Sequence, residues 1–226
     1  MTVLGEELTD LDAFIRSERS RSDCYRLLSA CFYQPVRELF IEEGLLRNLV
    51  SALRTVCPEA AGYADTIEEA YARYNDEELL VEYARLFVGP NELLAAPYGS
   101  VYLEKERRVM GESTLETIKM YQEEGLTIDS DFRELPDHIT VELEFMYYLI
   151  AKEIEALARN EVSAAHQHIK KQEHFMNSFL GRWTGQFCEK INENTKNDFY
   201  RTLADCTAVF IRNELRRVNA AKLPHI

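Results

Sequence analysis

The sequence predicts an all-α fold, a single globular domain of about nine to eleven helices. Apolar residues recur at helical spacing along most of the 226-residue chain. With 9 Gly and 6 Pro the chain is poor in turn-forming residues, and it lacks the long alternating Val, Ile and Thr runs of β-strands. A chain of this length can bury one sizeable core or form two small lobes.

Capping residues and prolines divide the first part of the chain into helices. Thr9–Asp12 has the pattern of a capping box and predicts a first helix, which ends before Pro35. Gly44 marks a possible break in the second helix, and Asn75 caps the fourth. These helices are expected over about 9–33, 36–56, 59–74 and 77–87.

The remaining helices follow the same signals. Ser113–Glu116 is a second capping box, and Pro136 with Asp137 as N-cap begins a strongly apolar helix. Gly181 and Gly185 either bend the long helix that contains them or let another helix approach it. These helices are expected over about 101–106, 113–124, 137–159, 161–192 and 196–221.

Domain organisation has two readings. Residues 1–226 form one helical domain, or the polar connector 125–135 is a hinge between an N-terminal lobe 1–124 and a C-terminal lobe 136–226. There is no internal repeat of fixed period and no sustained coiled-coil heptad.

The stretch Glu134–Ile150 is the most distinctive part of the chain. From Ile139 onward it is apolar on almost every side, which predicts a central, buried helix. Only Thr140, Glu142 and Glu144 interrupt this apolar surface.

The helical period separates the polar residues of this helix. At about 100° per residue, Thr140 and Glu144 share one side, while His138 and Glu142 share nearly the opposite side. The two glutamates are therefore expected to contact different neighbours. A buried carboxylate without a partner is costly, so each is expected to have a donor nearby or to face a cleft. The plainest alternative is that each simply pairs with an Arg or Lys. Asp137 is either a helix cap alone or part of that cleft.

A loop rich in proline and glycine follows the fourth helix. Gly89 and Pro90 end that helix, and Pro97–Ser100 reads as a turn in which Ser100 caps a short helix. Tyr98 lies in this turn beside a helix N-terminus, a position that suits a recognition surface. The alternative is that its ring covers the core of the protein itself.

Charge and composition exclude several classes of function. The chain carries 26 Lys and Arg against 39 Asp and Glu, a net charge of −13, which disfavours nucleic acids and anionic membranes as partners. The same charge would attract a basic peptide, or serves solubility alone. No apolar run approaches the roughly 18 residues of a membrane span, and no secretory signal is visible, so we expect a cytoplasmic protein. The five cysteines are expected to be reduced and mostly buried.

Catalytic signatures are missing from the sequence. It has no phosphate-binding loop, dinucleotide fingerprint, nucleophile elbow or H-E-x-x-H motif. No histidine is preceded three residues earlier by Glu, which argues against a di-iron bundle. Trp183 is expected to pack in the core rather than against a cofactor. We therefore expect no catalytic residue, no metal and no cofactor.

Two stretches together resemble the TorD/DmsD family. Tyr83–Pro90 (YARLFVGP), followed by Ala96–Tyr102 (APYGSVY), resembles the family's RLF-x-GP … P-x-x-S-x-Y region. Leu135–Met146 (LPDHITVELEFM) resembles its second signature. The order and separation of the signatures match, and the flanking helices extend the resemblance over most of the chain.

The resemblance implies a cytoplasmic, all-helical chaperone rather than an enzyme. Its partners would be the apo catalytic subunit of a molybdopterin oxidoreductase and the twin-arginine leader peptide of that subunit. It would hold back export and assist cofactor insertion, as a monomer or a domain-swapped dimer. The residues carried over as partner-binding are Gly89, Pro90, Pro97, Tyr98, Ser100, Tyr102, Pro136, Asp137, His138, Glu142 and Glu144.

This expectation agrees with the chemistry of the residues. A twin-arginine leader offers two guanidinium groups and an apolar helical segment. Carboxylates in a cleft can bind guanidinium groups through paired hydrogen bonds, and a groove between helices can bind the apolar segment.

Two alternatives belong to other classes of function. One is a helical metal- or nucleotide-dependent hydrolase that uses His138 and Glu142, four residues apart on one helix, as an acid/base pair. The other is a helical scaffold for a different partner, with the loop around Tyr98 as its surface.

Overall fold

The computed structural model describes residues 3–89, 93–105, 109–127 and 134–220. This part of the chain contains eleven α-helices, two π-helical turns at Glu38–Glu42 and Ala84–Val88, and no β-strand. The all-α prediction is confirmed. The helices are α1 Val3–Cys31, α2 Leu45–Val56, α3 Pro58–Ala64, α4 Ile67–Ala72, α5 Asp76–Tyr83, α6 Ser100–Leu103, α7 Glu112–Glu123, α8 Ile139–Ala158, α9 Val162–Ser178, α10 Leu180–Asn194 and α11 Asp198–Ala220.

Helix α8 is the central element of the fold. It packs against α1, α9 and α10, so that its apolar side chains are enclosed on several sides. The prediction of a central, buried helix is therefore confirmed. The enclosed apolar side chains of its first three turns are Ile139, Leu143, Phe145, Met146, Leu149 and Ile150.

The main core is shared by helices from both ends of the chain. Helix α1 packs on α2 and α8, while α11 packs on α3, α4, α9 and α10. Buried side chains of all these helices belong to one hydrophobic cluster. The division into lobes 1–124 and 136–226 stays a prediction, and residues 128–133 of the connector lie outside the described residues.

Several helix boundaries differ from the predicted ones. Helix α1 begins at Val3, so Thr9–Asp12 lies inside the helix and does not start it. The predicted break at Gly44 is confirmed, because this residue has φ +73°, which glycine adopts at little cost. The helix predicted over 59–74 is two helices, α3 and α4. The helix predicted over 77–87 ends as an α-helix at Tyr83 and continues as a π-helical turn.

The helix predicted over 161–192 is also two helices, which meet at Phe179. This residue has φ −128° and ψ −97°, and its ring packs against Phe175 and His174. Immediately after the break, a Cβ atom at Gly181 would lie only 2.5 Å from the carbonyl oxygen of Met176. Glycine at 181 therefore permits the sharp change of direction.

A buried ionic network connects α1 to α11. The Arg21 guanidinium donates from Nε to Glu214 at 2.5 Å and from Nη1 to Glu18 at 2.8 Å. Nη1 also donates to Gln172 of α9, which in turn donates to Glu153 of α8 at 2.7 Å. Four helices therefore share one set of polar contacts inside the protein.

The described helices range from 4 residues in α6 to 29 residues in α1. None of those within residues 3–220 is both long enough and apolar enough to cross a bilayer.

Candidate functional site

The Tyr98 loop and the segment before α8 lie side by side. They are joined as a short antiparallel bridge, in which the Ile139 amide donates to the Pro97 carbonyl at 2.8 Å. The Gly99 amide donates to the Asp137 carbonyl, also at 2.8 Å. The rings of Tyr98 and His138 meet edge to face, with 5.4 Å between their centroids. Two motifs separated by about 35 residues in the sequence are thus adjacent in space.

Asp137 is buried and bonds to the loop rather than to its own helix. Its Oδ2 accepts a hydrogen bond from the Ser100 amide at 2.7 Å, at the first residue of α6. The predictions that Asp137 caps α8 and that Ser100 caps α6 are both wrong. The N-terminal amides of a helix need acceptors, and for this one-turn helix a carboxylate from the neighbouring segment supplies one.

His138 is the N-cap of α8 and is only 3% exposed. Its Nδ1 accepts from the Thr140 amide at 3.2 Å and lies 2.7 Å from the Thr140 hydroxyl. Burial lowers the pKa of His138 to about 4, although the nearby Glu134 and Asp137 act in the opposite direction. The imidazole is therefore neutral at pH 7. Because Nδ1 accepts, the proton lies on Nε2, which is 4.0 Å from a carboxylate oxygen of Glu134.

Glu142 is enclosed beneath the loop. Its Oε2 accepts from the indole Nε1 of Trp183 on α10 at 2.8 Å, and its Oε1 has no hydrogen-bond partner among the described residues. Burial raises the pKa of Glu142 well above its usual value, and the hydrogen bond from Trp183 opposes this shift. The expectation of a nearby donor for Glu142 is confirmed, and that donor is the indole of Trp183 rather than an Arg or Lys. Its partner Trp183 is fully buried, as predicted.

Glu144 faces the opposite side of α8 and is exposed. Its Oε1 accepts from the Ser29 hydroxyl at 3.0 Å and from the Tyr33 hydroxyl at 2.9 Å, both on or beside α1. It lines an open cavity of about 270 Å³ between α1, α2 and α8. The prediction that the two glutamates contact different neighbours is confirmed.

The exposed part of the joined segments is an acidic and aromatic surface. The Tyr98 hydroxyl donates to Glu134 Oε2 at 2.8 Å, and the Glu134 side chain is 38% exposed. Tyr83 is also partly exposed, and burial, followed by the charge of Glu134, raises the pKa of its hydroxyl to about 12. We name the three residues Tyr83, Tyr98 and Glu134 the rim. Pro136, also partly exposed, follows it, and Tyr121 donates to the Pro136 carbonyl at 3.0 Å.

Sequence reasoning did not select two residues of the rim. Tyr83 is the first residue of one signature, and Glu134 immediately precedes the other. Both were visible as parts of these stretches, but nothing in the sequence shows that a connector residue reaches the hydroxyl of Tyr98.

The remaining predicted site residues lie around this centre. Gly89 has φ +83° and ends the π-helical turn, with its amide donating to the Ala84 carbonyl at 2.8 Å. Tyr102 is partly buried and stacks on Trp183, with 5.5 Å between ring centroids and 17° between planes. Pro97 is buried in the bridge. Pro90 lies outside the described residues.

The hydrolase alternative predicts that His138 and Glu142 act together. Within the described residues the imidazole contacts Thr140 and Tyr98, whereas the Glu142 carboxyl bonds to Trp183. The same part of the chain holds no group of three His, Cys, Asp or Glu arranged to bind a metal ion. The side chains of His138 and Glu142 thus contact different neighbours.

Comparisons with known proteins agree with the geometry. The family model described as "Nitrate reductase delta subunit" matches residues 47–189. The chaperone protein TorD of Shewanella loihica is 26% identical over 220 residues, which cover 90% of this chain and 95% of that protein. The Tat proofreading chaperone DmsD of Haemophilus influenzae is 30% identical over 128 residues, 57% of this chain and 56% of that one.

One solved structure is also similar, a redox enzyme maturation protein from Archaeoglobus fulgidus. It shares 21% identity with this chain and has a TM-score of 0.46, with 89% of this chain and 93% of that chain covered.

The family model spans well over half of the chain, and the relatives named above are chaperones rather than enzymes. The chain belongs to the nitrate reductase delta subunit family, which includes the TorD and DmsD chaperones of molybdoenzyme maturation.

Proposed function

We propose that this protein is a cytoplasmic chaperone that binds the twin-arginine leader and the apo form of a molybdopterin oxidoreductase catalytic subunit. It assists cofactor insertion and holds back export until the subunit has folded. The observation that carries this proposal is the bridge between the Tyr98 loop and residues 134–138, which gathers both family signatures at one surface.

The rim supplies the chemistry that a guanidinium group needs. Glu134 offers a partly exposed carboxylate, and a guanidinium can bind a carboxylate through charge-assisted hydrogen bonds. The partly exposed rings of Tyr98, which bonds to Glu134, and of Tyr83 offer faces over which a guanidinium can stack. Because the Tyr98 hydroxyl already holds Glu134, the carboxylate is oriented before the leader arrives.

The buried residues of the site have a different role in this proposal. Asp137 and His138 hold the loop and start α8, and neither presents a charge to solvent at the surface. Glu144 is exposed but lies on the far side of α8 from Glu142. The first leader arginine is therefore assigned to Glu134.

Three exposed aliphatic side chains, close to Tyr83 and Gly89 along the chain, are assigned to the apolar segment of the leader. Leu80 and Val81 on α5 are 41% and 59% exposed, and Val88, immediately before Gly89, is 60% exposed. Contiguous exposed apolar surface is typical of interaction sites.

The proposal is tested by calorimetry with a leader peptide that carries two arginines, and with the same peptide carrying two lysines. We expect the lysine peptide to bind more weakly, because an ammonium cannot form the paired contact of a guanidinium. Glu134→Gln should weaken binding of the arginine peptide by about tenfold. The matched control is Glu173→Gln, an exposed glutamate of α9 with the same change in charge.

Two outcomes would contradict the proposal. One is that the wild type binds neither peptide. The other is that Glu134→Gln and Glu173→Gln bind the leader equally well. Co-purification from the native host should recover an oxidoreductase subunit, and consistent recovery of an unrelated protein instead would favour the scaffold alternative.

A further inference from the structure

Three elements meet beneath the Tyr98 loop. Gly99 precedes α6, Glu142 lies on α8 and Trp183 lies on α10. The indole of Trp183 donates to Glu142 and stacks on Tyr102, so that it forms the floor on which the loop rests. Gly99, Glu142 and Trp183 are all buried, and Trp183 is the single tryptophan of the chain.

Glycine is required at position 99 because there is no room for a side chain. The backbone conformation does not require it. With φ −57° and ψ −41°, its conformation is open to any residue. A Cβ atom at this position would, however, lie 2.9 Å from Trp183 Nε1 and 3.1 Å from Glu142 Oε1. The Trp183 ring is fixed by packing and by its hydrogen bond, so a side chain at 99 would displace the loop instead.

A displacement of the loop at Gly99 would reach the rim directly. The Gly99 amide and the Ser100 amide both bond to Asp137, and Tyr98 is the adjacent residue. Lifting the loop would therefore move the Tyr98 ring from His138 and its hydroxyl from Glu134.

We propose that Gly99, Trp183 and Glu142 are positioning residues for partner binding. They set the height of the loop above α8 and α10, and thereby the orientation of Tyr98 and of the Glu134 carboxylate. They do so without touching the partner. This inference rests on the proposed function and adds to it the residues that hold the binding surface in place.

The test compares two glycine substitutions by calorimetry with the twin-arginine peptide. Gly99→Ala should weaken binding by about tenfold. Gly185→Ala is the matched control, since Gly185 lies on α10 and a Cβ there would have no neighbour within 4 Å. The control should bind as the wild type does. Circular dichroism establishes that both variants are folded.

A second variant separates misplacement of the loop from a general loss of structure. Trp183→Phe removes the indole nitrogen that a Cβ at 99 would meet. The double variant Gly99→Ala with Trp183→Phe should therefore lose less affinity than the sum of the two single losses. Hydrogen exchange of the amides in residues 97–102 should be faster in Gly99→Ala than in Gly185→Ala.

Each result decides a different point. If folded Gly99→Ala binds the leader as tightly as the wild type, or if the two losses add, the positioning role is overturned. If the wild type binds no leader, the proposed function is overturned. In that case the contact beneath the loop is judged by exchange alone, and unchanged exchange in Gly99→Ala overturns it as well.

Discussion

His138 begins the central helix with a neutral imidazole. Its Nδ1 accepts from the Thr140 amide, which only an unprotonated ring nitrogen can do. Protonation would remove this acceptor and place a positive charge at the positive end of the α8 dipole. The same residue also contacts the ring of Tyr98. The geometry at the centre of the candidate site therefore depends on a group that titrates in weak acid.

The first prediction concerns acid stability. The pKa of His138 is about 4 in the folded protein and about 6.5 in the unfolded chain, so between these values the unfolded state binds a proton that the folded state does not. Stability supplied by this group is therefore lost as the pH falls from 6.5 towards 4. Between pH 7.5 and pH 5, His138→Asn should lose about 2 kcal/mol less than the wild type in urea unfolding.

The contribution of Glu153 to stability changes with pH in the opposite direction, so Glu153 serves as the control. Burial raises its pKa to about 7, so its contribution to stability grows as the pH falls from 7 towards 4.5. Glu153→Gln should therefore lose more stability than the wild type over the same pH range. If wild type and His138→Asn change equally, the assigned protonation state of His138 is incorrect.

For individual residues, the sequence predicted on which side of a helix a side chain lies better than it predicted which residue that side chain bonds to. The period of α8 was enough to assign Glu142 and Glu144 to different neighbours. The hydrogen-bond partner of Asp137 could not be predicted from the sequence, because Ser100 belongs to a distant segment that only the bridge brings close. The indole partner of Glu142 was hidden for the same reason.

At the scale of whole helices, the Arg21 network determines how α1 and α11 are held together. Arg21 is 4% exposed and bonds to Glu214 of α11, Glu18 of α1 and Gln172 of α9. Tyr25 adds a hydrogen bond to Glu214 at 3.0 Å. Removing one partner of a buried ion pair is far more harmful than removing an exposed one, because the other charge is left without compensation.

The second prediction compares two arginines of α1. Arg21→Ala should lower the free energy of unfolding by about 3–5 kcal/mol, because Glu214 and Glu18 lose their buried cation. Arg26→Ala should change it by less than about 0.5 kcal/mol, because Arg26 and its partner Asp23 are both about half exposed. Urea unfolding at pH 7.5 measures both. Equal effects of the two substitutions would count against a structural role for the network.

Helix ends were predictable where a residue type enforces them. Gly44 was identified because glycine tolerates the left-handed backbone that the structure has there. The break at Phe179 was signalled only by Gly181, two residues later, because phenylalanine itself does not disfavour a helix and packing of its ring determines where the bend occurs. The two π-helical turns were likewise invisible, because they differ from an α-helix only in hydrogen-bond register.

For the molecule as a whole, the low reactivity of the five cysteines follows from their burial. All five are free and no more than 5% exposed, and burial raises the pKa of each thiol. A thiol that is protonated and enclosed is a poor nucleophile.

The third prediction is that almost none of the thiols of the native protein reacts with a thiol reagent at pH 8. In 8 M urea, all five thiols of the chain should react. Ellman's reagent counts them under both conditions, with and without prior reduction. Rapid reaction of several thiols in the native state would contradict the buried arrangement. Fewer than five without reduction would indicate a disulfide.

The fourth prediction uses the net charge of −13. A field of this sign should accelerate the encounter with a cationic leader, and salt screens such fields. Raising the salt concentration from 50 to 500 mM should slow association by about tenfold and change dissociation much less. Stopped-flow mixing with a labelled leader measures both rates. A peptide of the same length without net charge is the control, and its association rate should not depend on salt.

The position of α11 in the chain has a consequence for biosynthesis. It is the last of the described helices to leave the ribosome, yet it covers α3 and α4 and brings Glu214 to Arg21. A nascent polypeptide that ends before α11 would expose apolar faces of α3 and α4, and Arg21 would keep Glu18 but lack Glu214. Such a chaperone is itself in need of protection while it is being translated, and completes its own core only after α11 has been synthesised.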